Sequence, residues 1–386
     1  MNGPQKVLLS KLGTLKKGGA ILREKLRPEG EAVILYGDIY TKYSEIVTRM
    51  VSRVDPSAVV DGVRLNDGDI IFAGSGETAA EIGKCIAYVG NEEAYAGGDV
   101  VILSNHGQDA RYLGYALNAE DAIRQKMRLG QGSSVMHLYK DDVGSIQIPL
   151  PSLAEQRKIA EILRTWDEAI ETAEAEHKGK LERKRWLTGK FFSSSLMSVG
   201  VENAKNEWPK KLLGELTEVL DGKRKPISKE FRKPGPFPYF GACGVVDYVD
   251  SYLFDEPLVL VGEDGAKWGA GESTAFIVNE KCWVNNHAHV LRPNRDVIMD
   301  YWMMSWLNFR DLGEYVSGLT VPKLNQANLR AILIPVPPLV QQRKFVEILQ
   351  ASDVDIEALS NRIVSLRAQK RGLLQKLLTG EVRVAA

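Results

Sequence analysis

Two segments of the chain carry residue types that suggest a catalytic site. Residues 78–85 have the outline of a phosphate-binding loop, but Thr78 stands where the first glycine is required and Cys85 where a Ser or Thr would bind magnesium. Glu263, Asp264 and Lys267 have the residue types of a nuclease metal site without its spacing or its upstream acid. We therefore predict neither a phosphate-binding loop nor a nuclease centre.

The histidines and cysteines offer no better site. His287 and His289 would point to one face of a β-strand, but no third ligand is evident, so a pair of polar strand residues is the simpler interpretation. The three cysteines are too widely spaced for a zinc motif or a disulfide framework. The sequence has no Gly-x-Ser-x-Gly segment and no Asn/Asp-Pro-Pro-Tyr/Phe segment of the amino-methyltransferases. We predict a non-catalytic protein with no metal and no cofactor of its own.

Basic residues are concentrated in residues 222–233, a segment that also contains proline and glycine. It has six basic residues and one acid, Glu230. Such a loop is suited to contacting DNA phosphates, although charge runs are also common on ordinary solvated surfaces. The candidate DNA contacts within it are Lys223, Arg224, Lys225 and Lys229.

Three glycine-bearing segments are further candidates for DNA contact. In residues 262–269, small residues allow close backbone approach and Lys267 and Trp268 could reach a groove; the alternative is a tight turn with Trp268 in the core. Residues 130–137 and 317–323 are polar loops near the ends of the two domains, and the alternative for both is an ordinary domain-closing turn. Their candidate residues are Gly132, Ser133, Ser134, His137, Thr320 and Lys323.

The chain contains an internal repeat. Residues 146–171 (IQIPLPSLAEQRKIAEILRTWDEAIE) and 332–357 (ILIPVPPLVQQRKFVEILQASDVDIE) are identical at 14 of 26 positions, without a gap, at a spacing of 186 residues. Both copies run on to a Thr-Gly pair, which comes five residues later in the second copy. The preceding segments match more faintly, so each half of the chain is a variable domain followed by a repeated helix.

Each repeat predicts an extended proline segment and then a long helix. Proline fixes its own φ and disfavours the helical region for the residue before it, so Ile-x-Ile-Pro-x-Pro is extended. Apolar residues then recur four and three apart, the pattern of a coiled coil. Since the first helix ends at the second domain, where the second helix starts, we expect antiparallel packing. The candidate packing residues are Leu163, Ile170, Leu349, Ile356, Leu359 and Ile363.

These elements predict an α+β fold with a pseudo-two-fold internal repeat. Two mixed α/β domains are separated by two long helices that pack as an antiparallel coiled coil. We expect the domains at residues 1–145 and 201–331, and the helical regions at 146–200 and 332–386. The pattern alone is equally compatible with a helical pair that serves homodimerisation or core packing.

Composition narrows the class of protein. The 386 residues carry 50 basic and 50 acidic side chains, which argues against indiscriminate coating of nucleic acid but allows local basic patches. No run approaches the roughly 20 apolar residues of a membrane span, and the N-terminus lacks the order of a signal peptide. We expect a cytoplasmic protein with no membrane partner.

The repeated segments resemble a known family. The pattern Ile-Pro-Leu-Pro-x-Leu-x-Glu-Gln-x-Lys-Ile-x-x-Ile-Leu, closing in Leu-Leu-Thr-Gly, is similar to the conserved regions of the specificity (S) subunit of type I restriction–modification enzymes. The segment from Trp208 (WPKKLLGEL) resembles the usual opening of a target recognition domain, and that from Tyr239 (YFGACGVVDY) a common segment within it. The first domain lacks the Trp-Pro opening, and Gln341 replaces Glu155 in the second helix.

The resemblance implies a function by positioning. Each domain would read a few base pairs in one half of a split target in double-stranded DNA. The helices would dock two methyltransferase (M) subunits, which carry S-adenosylmethionine and flip out an adenine in each half. Motor–nuclease (R) subunits would join when DNA is cleaved. The candidate docking residues are Gln156, Arg157, Lys158, Gln342, Arg343 and Lys344.

Two other functions remain open at this point. A coiled-coil interaction protein without DNA binding would leave Lys223, Arg224 and Lys225 dispensable for any DNA shift. An orphan or inhibitory paralogue would occupy M subunits without a functional target.

Overall fold

The structure is a computed structural model, and it describes residues 4–132, 135–192, 208–318 and 320–384. The chain divides into two compact units: unit 1 comprises Met1–Glu174 and Asn361–Ala386, and unit 2 comprises Ala175–Ser360. Each unit contains one mixed α/β domain and half of each of two long helices. The predicted α+β class, with its internal repeat, is confirmed, whereas the predicted domain boundaries stay a prediction.

The domain of unit 1 has fourteen strands and four short helices among the described residues. The strands are β1 Lys6–Leu8, β2 Thr14–Lys17, β3 Leu26–Arg27, β4 Glu31–Ile34, β5 Ile46–Val47, β6 Ser52–Val54, β7 Val63–Arg64, β8 Ile70–Ala73, β9 Ser75–Gly76, β10 Cys85–Tyr88, β11 Ala94–Ala96, β12 Val100–Ser104, β13 Met136–His137 and β14 Gln147–Pro149. The helices are α1 Tyr36–Thr41, α2 Ala110–Leu117, α3 Glu120–Leu129 and α4 Lys140–Ser145.

Two five-stranded sheets form this domain, with strand orders β2-β12-β8-β10-β5 and β3-β6-β4-β11-β7. Every residue of β8, β10 and β12 is buried, because both faces of the first sheet are covered. Phe72 on one face packs in a cluster with Tyr112 of α2, while Ile71 on the other packs with Ala32 and Ile34 of the second sheet.

The domain of unit 2 is simpler. Its strands are β15 Lys210–Leu212, β16 Thr217–Val219, β17 Phe237–Gly241, β18 Gly244–Val249, β19 Leu258–Gly262, β20 Ala275–Val278, β21 Trp283–Val284, β22 Ala288–Pro293 and β23 Leu333–Pro335. Its helices are α6 Leu213–Leu216, α7 Asp300–Phe309 and α8 Gln326–Arg330. The sheets have the orders β16-β22-β19-β20 and β18-β17-β21. The first of these repeats the β2-β12-β8-β10 arrangement of unit 1.

In each unit, the proline segment predicted to be extended is a strand that closes the domain. Strand β14 pairs antiparallel with β1, bringing Pro149 opposite Lys6. Strand β23 pairs in the same way with β15, bringing Pro335 opposite Lys210. The chain therefore enters and leaves each domain through two neighbouring strands.

The repeated segments after these strands are the long helices α5 (Leu153–Phe192) and α9 (Leu339–Thr379). In unit 1, Asp167 of α5 pairs with Lys370 of α9 at 2.5 Å, and Glu174 pairs with Arg367 at 2.5 Å. In unit 2, Lys180 pairs with Asp355 at 2.9 Å. Partner numbers fall along α9 as they rise along α5, so the predicted antiparallel packing is confirmed. Of the candidate packing residues, Ile356 is half-buried and the others are buried: Leu163, Ile170, Leu349, Leu359 and Ile363.

The first turn of each long helix is anchored by a fully buried glutamine. In unit 1, the side-chain oxygen of Gln156 accepts a hydrogen bond from the Asp109 backbone, and its amide donates to the Pro151 carbonyl. In unit 2, Gln342 accepts from the Met299 backbone and donates to the carbonyls of Val297 and Pro337. These two candidate docking residues thus attach the helix to its own domain and are not accessible to a partner protein.

Among the described residues, no helix has the combination of length and apolar character needed to cross a membrane.

Candidate nucleic-acid interface

Several loops of unit 2 meet beyond the ends of strands β19 and β22. The backbone of Lys323 pairs with Ser317 and with Asp264. The next residue, Leu324, donates its N–H to the Glu263 carbonyl at 2.8 Å. The loops predicted separately from residues 262–269 and 317–323 therefore form one surface.

A buried histidine lies beneath these loops. His289 is completely inaccessible to solvent. Its Nδ1 lies 2.6 Å from Asp221 Oδ2, and its Nε2 lies 2.7 Å from the Leu324 carbonyl oxygen. Both ring nitrogens face hydrogen-bond acceptors. His287 differs from the sequence expectation of a shared face, because it precedes β22, is exposed and contacts Asp264 at 2.5 Å.

Two cations complete this ion cluster. Arg224 lies 2.5 Å from Glu263 and 3.5 Å from Asp221, and it also donates to the Ala288 carbonyl at 2.8 Å. Lys323 lies 2.9 Å from the other oxygen of Glu263. The cluster thereby connects the start of the basic segment, the β19 loop and the 317–323 loop.

Asp221, Glu263 and His289 are close enough to hold a metal ion, since one potential ligand atom from each lies within 4.8 Å of the others. Their surroundings suit ion pairing better. Arg224 and Lys323 occupy the oxygens of Glu263, and both nitrogens of His289 are engaged. We interpret the group as a structural ion cluster that fixes the loops.

The cluster shifts the ionisation of its members. Burial alone would raise the pKa of Asp221, but hydrogen bonds from His289 and the Val290 backbone hold that pKa below its ordinary value. Burial likewise opposes ionisation of Glu263, but hydrogen bonds from Arg224 and Lys323 lower its pKa. Glu263 in turn raises the pKa of Lys323. All these charges are therefore stabilised together.

The basic segment divides into inward and outward side chains. Arg224 is 13% exposed within the ion cluster. Arg232 pairs with Asp247 at 3.1 Å and stacks its guanidinium 4.4 Å from the Tyr239 ring centre. The lysines are exposed, and their side chains have no hydrogen bond or ion pair within the described residues: Lys223, Lys225, Lys229 and Lys233. The lysines are therefore the better candidates for phosphate contact.

The other candidates of unit 2 fall into the same region. Lys267 and Thr320 are exposed. Trp268 packs against the core, and its indole N–H donates to the Gly262 carbonyl at 3.1 Å, which matches the alternative of a turn anchored by this ring. Lys323 keeps 44% of its side chain exposed despite its contact with Glu263.

Unit 1 contains the equivalent loop. Gln131 and His137 exchange two backbone hydrogen bonds of 2.9 and 2.7 Å, as Ser317 and Lys323 do at 2.9 and 2.8 Å. The spacing is again 186 residues. Glycines with positive φ follow the first residue of each pair, Gly132 at 126° and Gly318 at 93°. Ser133 and Ser134 lie outside the described residues.

The side chains at the base of this loop differ between units. In unit 1, His137 Nδ1 lies 3.0 Å from the Ser75 hydroxyl. In unit 2, Lys323 and Asp264 stand at the corresponding positions. The backbone framework is thus repeated while the groups that it presents are different.

A second repeated contact lies where each domain meets the helices. In unit 1, the Tyr115 hydroxyl donates to Asp167 at 2.5 Å, and Lys370 binds the other oxygen of Asp167.

In unit 2, Tyr301, Asp353 and Lys184 make the same contacts. We call each group a Tyr–Asp–Lys joint. Each joins a domain helix to both long helices. Burial raises the pKa of Tyr115 and of Tyr301, and each hydroxyl therefore stays protonated as a donor.

The sequence signal for the joints was present but incomplete. Asp167 and Asp353 match in the repeat, and the tyrosines and lysines have the same spacing of 186 residues. The two Thr-Gly pairs suggested that the second copy is longer. Because Lys184 and Lys370 are equivalent, the extra residues lie after these lysines.

Comparisons with known proteins agree with this architecture. A family model described as the type I restriction modification DNA specificity domain matches residues 3–183 and again 205–366. A putative type I restriction enzyme specificity subunit from Haemophilus influenzae is 33% identical over 151 residues, 39% of this chain and 38% of that protein. The putative MjaX specificity subunit from Methanocaldococcus jannaschii is 26% identical over 344 residues, 83% of this chain and 80% of that protein.

Two solved structures share the fold. The S subunit of a type I restriction–modification system from M. genitalium has a TM-score of 0.61 at 19% identity, covering 97% of this chain and 96% of that one. A chain from a structural description of complex assembly and conformational transition in a type I restriction–modification system has a TM-score of 0.55 at 18% identity, covering 98% of each chain.

Proposed function

The chain belongs to the family of type I restriction–modification DNA specificity subunits, and from this we propose that it reads a split target in double-stranded DNA with one domain for each half. The observation that carries the proposal is the pair of equivalent loops, closed by Gln131 with His137 and by Ser317 with Lys323. A repeated framework with different side chains is suited to reading two different half-sites.

We further propose that the chain works without catalysis, metal or cofactor of its own, in the cytoplasm. Two methyltransferase subunits docked on its helices would supply S-adenosylmethionine and the adenine chemistry, and motor–nuclease subunits would join for cleavage. The ion cluster around His289 supports a positioning role, since its charged groups pair with one another and brace the loops.

Methylome sequencing of a host that expresses this chain with its methyltransferase subunit tests the proposal. We expect a methylated motif of two short constant blocks separated by a spacer of fixed length. A continuous motif would contradict one half-site per domain. A complex without methylation would indicate an inhibitory paralogue, and no complex would favour a scaffold protein.

DNA contact by the lysines has its own test. Changing Lys223, Lys225 and Lys229 to alanine should weaken duplex binding by the complex and reduce the slope of log K against log salt by about 2.7, since each phosphate contact contributes about 0.9. The control changes Lys210 and Lys211, two exposed lysines of β15, to alanine. An equal loss in both variants would argue against a specific role for the 222–233 segment.

A further inference from the structure

The hairpin formed by β17 and β18 in unit 2 has an exposed apolar tip. Strand β18 is the edge of its sheet, whose order is β18-β17-β21. Val245 and Val246 come directly after the start of this strand and are 45% and 56% exposed. Single exposed apolar residues are ordinary on a protein surface, but two adjacent ones on a regular strand require a reason. We call these two valines the hairpin tip.

A β-bulge sets the position of the hairpin tip. The register between the two strands shifts between Tyr239 and Phe240, which leaves Val246 without a partner on β17. An extra residue of this kind bends a strand and redirects its side chains. Val246 also packs closely on Gly241, where an added Cβ atom would lie 3.0 Å from Val246 Cγ1. The valine is therefore exposed to solvent but fixed by the backbone beneath it.

The described part of unit 1 has no such tip. Strand β4 pairs antiparallel with β6 and parallel with β11, as β17 pairs with β18 and β21. However, α1 and β5 come between β4 and β6 in the chain, where a tight turn joins β17 to β18. Strand β3 also covers the outer edge of β6. The exposed hairpin tip is thus a feature of the second domain that the first domain does not share.

The hairpin tip lies between two segments that are candidates for DNA contact. On one side, the sulfur of Cys243 in the turn lies 3.5 Å from the Gly265 carbonyl oxygen of the 262–269 loop. On the other side, the Asp250 backbone N–H donates to the carbonyl of Lys233, the last residue of the basic segment, at 3.0 Å. The hairpin therefore belongs to the same surface as both segments.

The chemistry of this surface favours DNA over a protein partner. The exposed lysines of the adjoining basic segment are suited to phosphates, whereas lysine is depleted in protein interfaces. Valine gains nothing from a phosphate, so its partner must be a base. The major groove of B-DNA admits a two-stranded β-ribbon, and the apolar group that it presents there is the 5-methyl group of thymine.

We propose that Val245 and Val246 read thymine in the half-site bound by unit 2, by packing against its 5-methyl group in the major groove. The inference rests on the proposed function, which supplies the split DNA target. It adds a reading element outside the loops and the basic segment, and it names the base that this element recognises.

Replacement of thymine by deoxyuridine tests the inference, because uracil lacks only the methyl group. The probe is a duplex with the methylated motif, bound by the complex of this chain with its methyltransferase subunit. For wild type, uracil at one or more positions of one half-site should weaken binding about fourfold, since burying one such group contributes about 0.8 kcal/mol. The double variant Val245→Ala/Val246→Ala should bind the thymine and uracil duplexes equally.

The control is Val51→Ala/Val60→Ala in unit 1, because these valines are 60% and 82% exposed. It should keep the fourfold difference between thymine and uracil. If wild type tolerates uracil at every position, or if the Val245→Ala/Val246→Ala variant keeps the difference, the hairpin tip does not read thymine and the proposed function stands. Loss of the methyltransferase subunit from this variant would instead make the tip a protein contact. If the wild-type complex binds no split target, the proposed function itself fails.

Discussion

Arg224 and Lys223 are adjacent in sequence, but different groups surround their side chains. Arg224 contacts Glu263, which is 10% exposed, whereas Lys223 is exposed to solvent. Removing one partner of a buried ion pair leaves an uncompensated charge. Residue type alone could not distinguish the two side chains, because the distinction depends on an acid 39 positions away.

We expect Arg224→Ala to lower the free energy of unfolding by about 3 kcal/mol. The reason is that the buried carboxylate of Glu263 would lose its arginine partner. Lys223→Ala should change it by less than about 0.5 kcal/mol, as for most surface substitutions. Urea denaturation of both variants measures the difference. Similar stability of the two variants would contradict the inward role of Arg224.

The ion cluster also predicts a pH dependence. The pKa values of Asp221 and Glu263 are depressed in the folded protein. At a pH just below the ordinary pKa, both carboxylates therefore stay ionised in the folded protein but bind protons in the unfolded chain. Their stabilisation is complete above the ordinary pKa of about 4 and is lost as the pH falls through the lower folded values.

Comparison with Glu263→Gln isolates this effect. The unfolding free energy of wild type should exceed that of the variant at pH 7, and the difference should shrink below about pH 4. Denaturation series at several pH values measure it. A difference that stays constant down to pH 3 would show that Glu263 does not contribute through its charge.

At the scale of elements, the Tyr–Asp–Lys joints hold each domain on the helices. A hydrogen bond to a charged group contributes about 1.5–3 kcal/mol. We therefore expect Tyr115→Phe and Tyr301→Phe each to lose that amount of stability, because the phenyl ring fills the same space without donating to Asp167 or Asp353.

Tyr139→Phe is the control for the joints, since Tyr139 is 51% exposed. Its unfolding free energy should stay within about 0.5 kcal/mol of wild type. Thermal and chemical denaturation both measure the change. Equal effects of all three substitutions would indicate that the joints add no stability beyond the rings themselves.

The elements themselves were largely predictable. Leu163, Leu349 and Leu359 are buried where the heptad pattern expects them, because helix periodicity is a local property. The His289 cluster was not predictable, since its members come from four separate segments and meet only in the folded domain, where β22 pairs with β19. Gln156 has the residue type of a surface position. In the fold it is buried, because its side-chain amide bonds to the backbone N–H of Asp109 and to the backbone carbonyl of Pro151.

At the scale of the whole molecule, the closing strands make each domain exchangeable. Lys210 of β15 lies opposite Pro335 of β23, so the chain enters and leaves the second domain at neighbouring positions. We expect that residues 210–335 can be replaced without altering the path of either long helix, provided that the replacement keeps Tyr301 for the joint with Asp353, the backbone that pairs with Gln342 and the core residues that pack on α5 and α9.

We expect a chain carrying residues 210–335 from another family member, with the rest unchanged, to direct its methyltransferase subunit to a target altered in one half only. The reason is that the first domain, with its loop closed by Gln131 and His137, is untouched. Methylome sequencing of a host expressing the exchanged chain with the same methyltransferase subunit measures the outcome. A change in both halves would show that the two domains read DNA as one surface, and an unchanged target would place recognition of both halves outside residues 210–335.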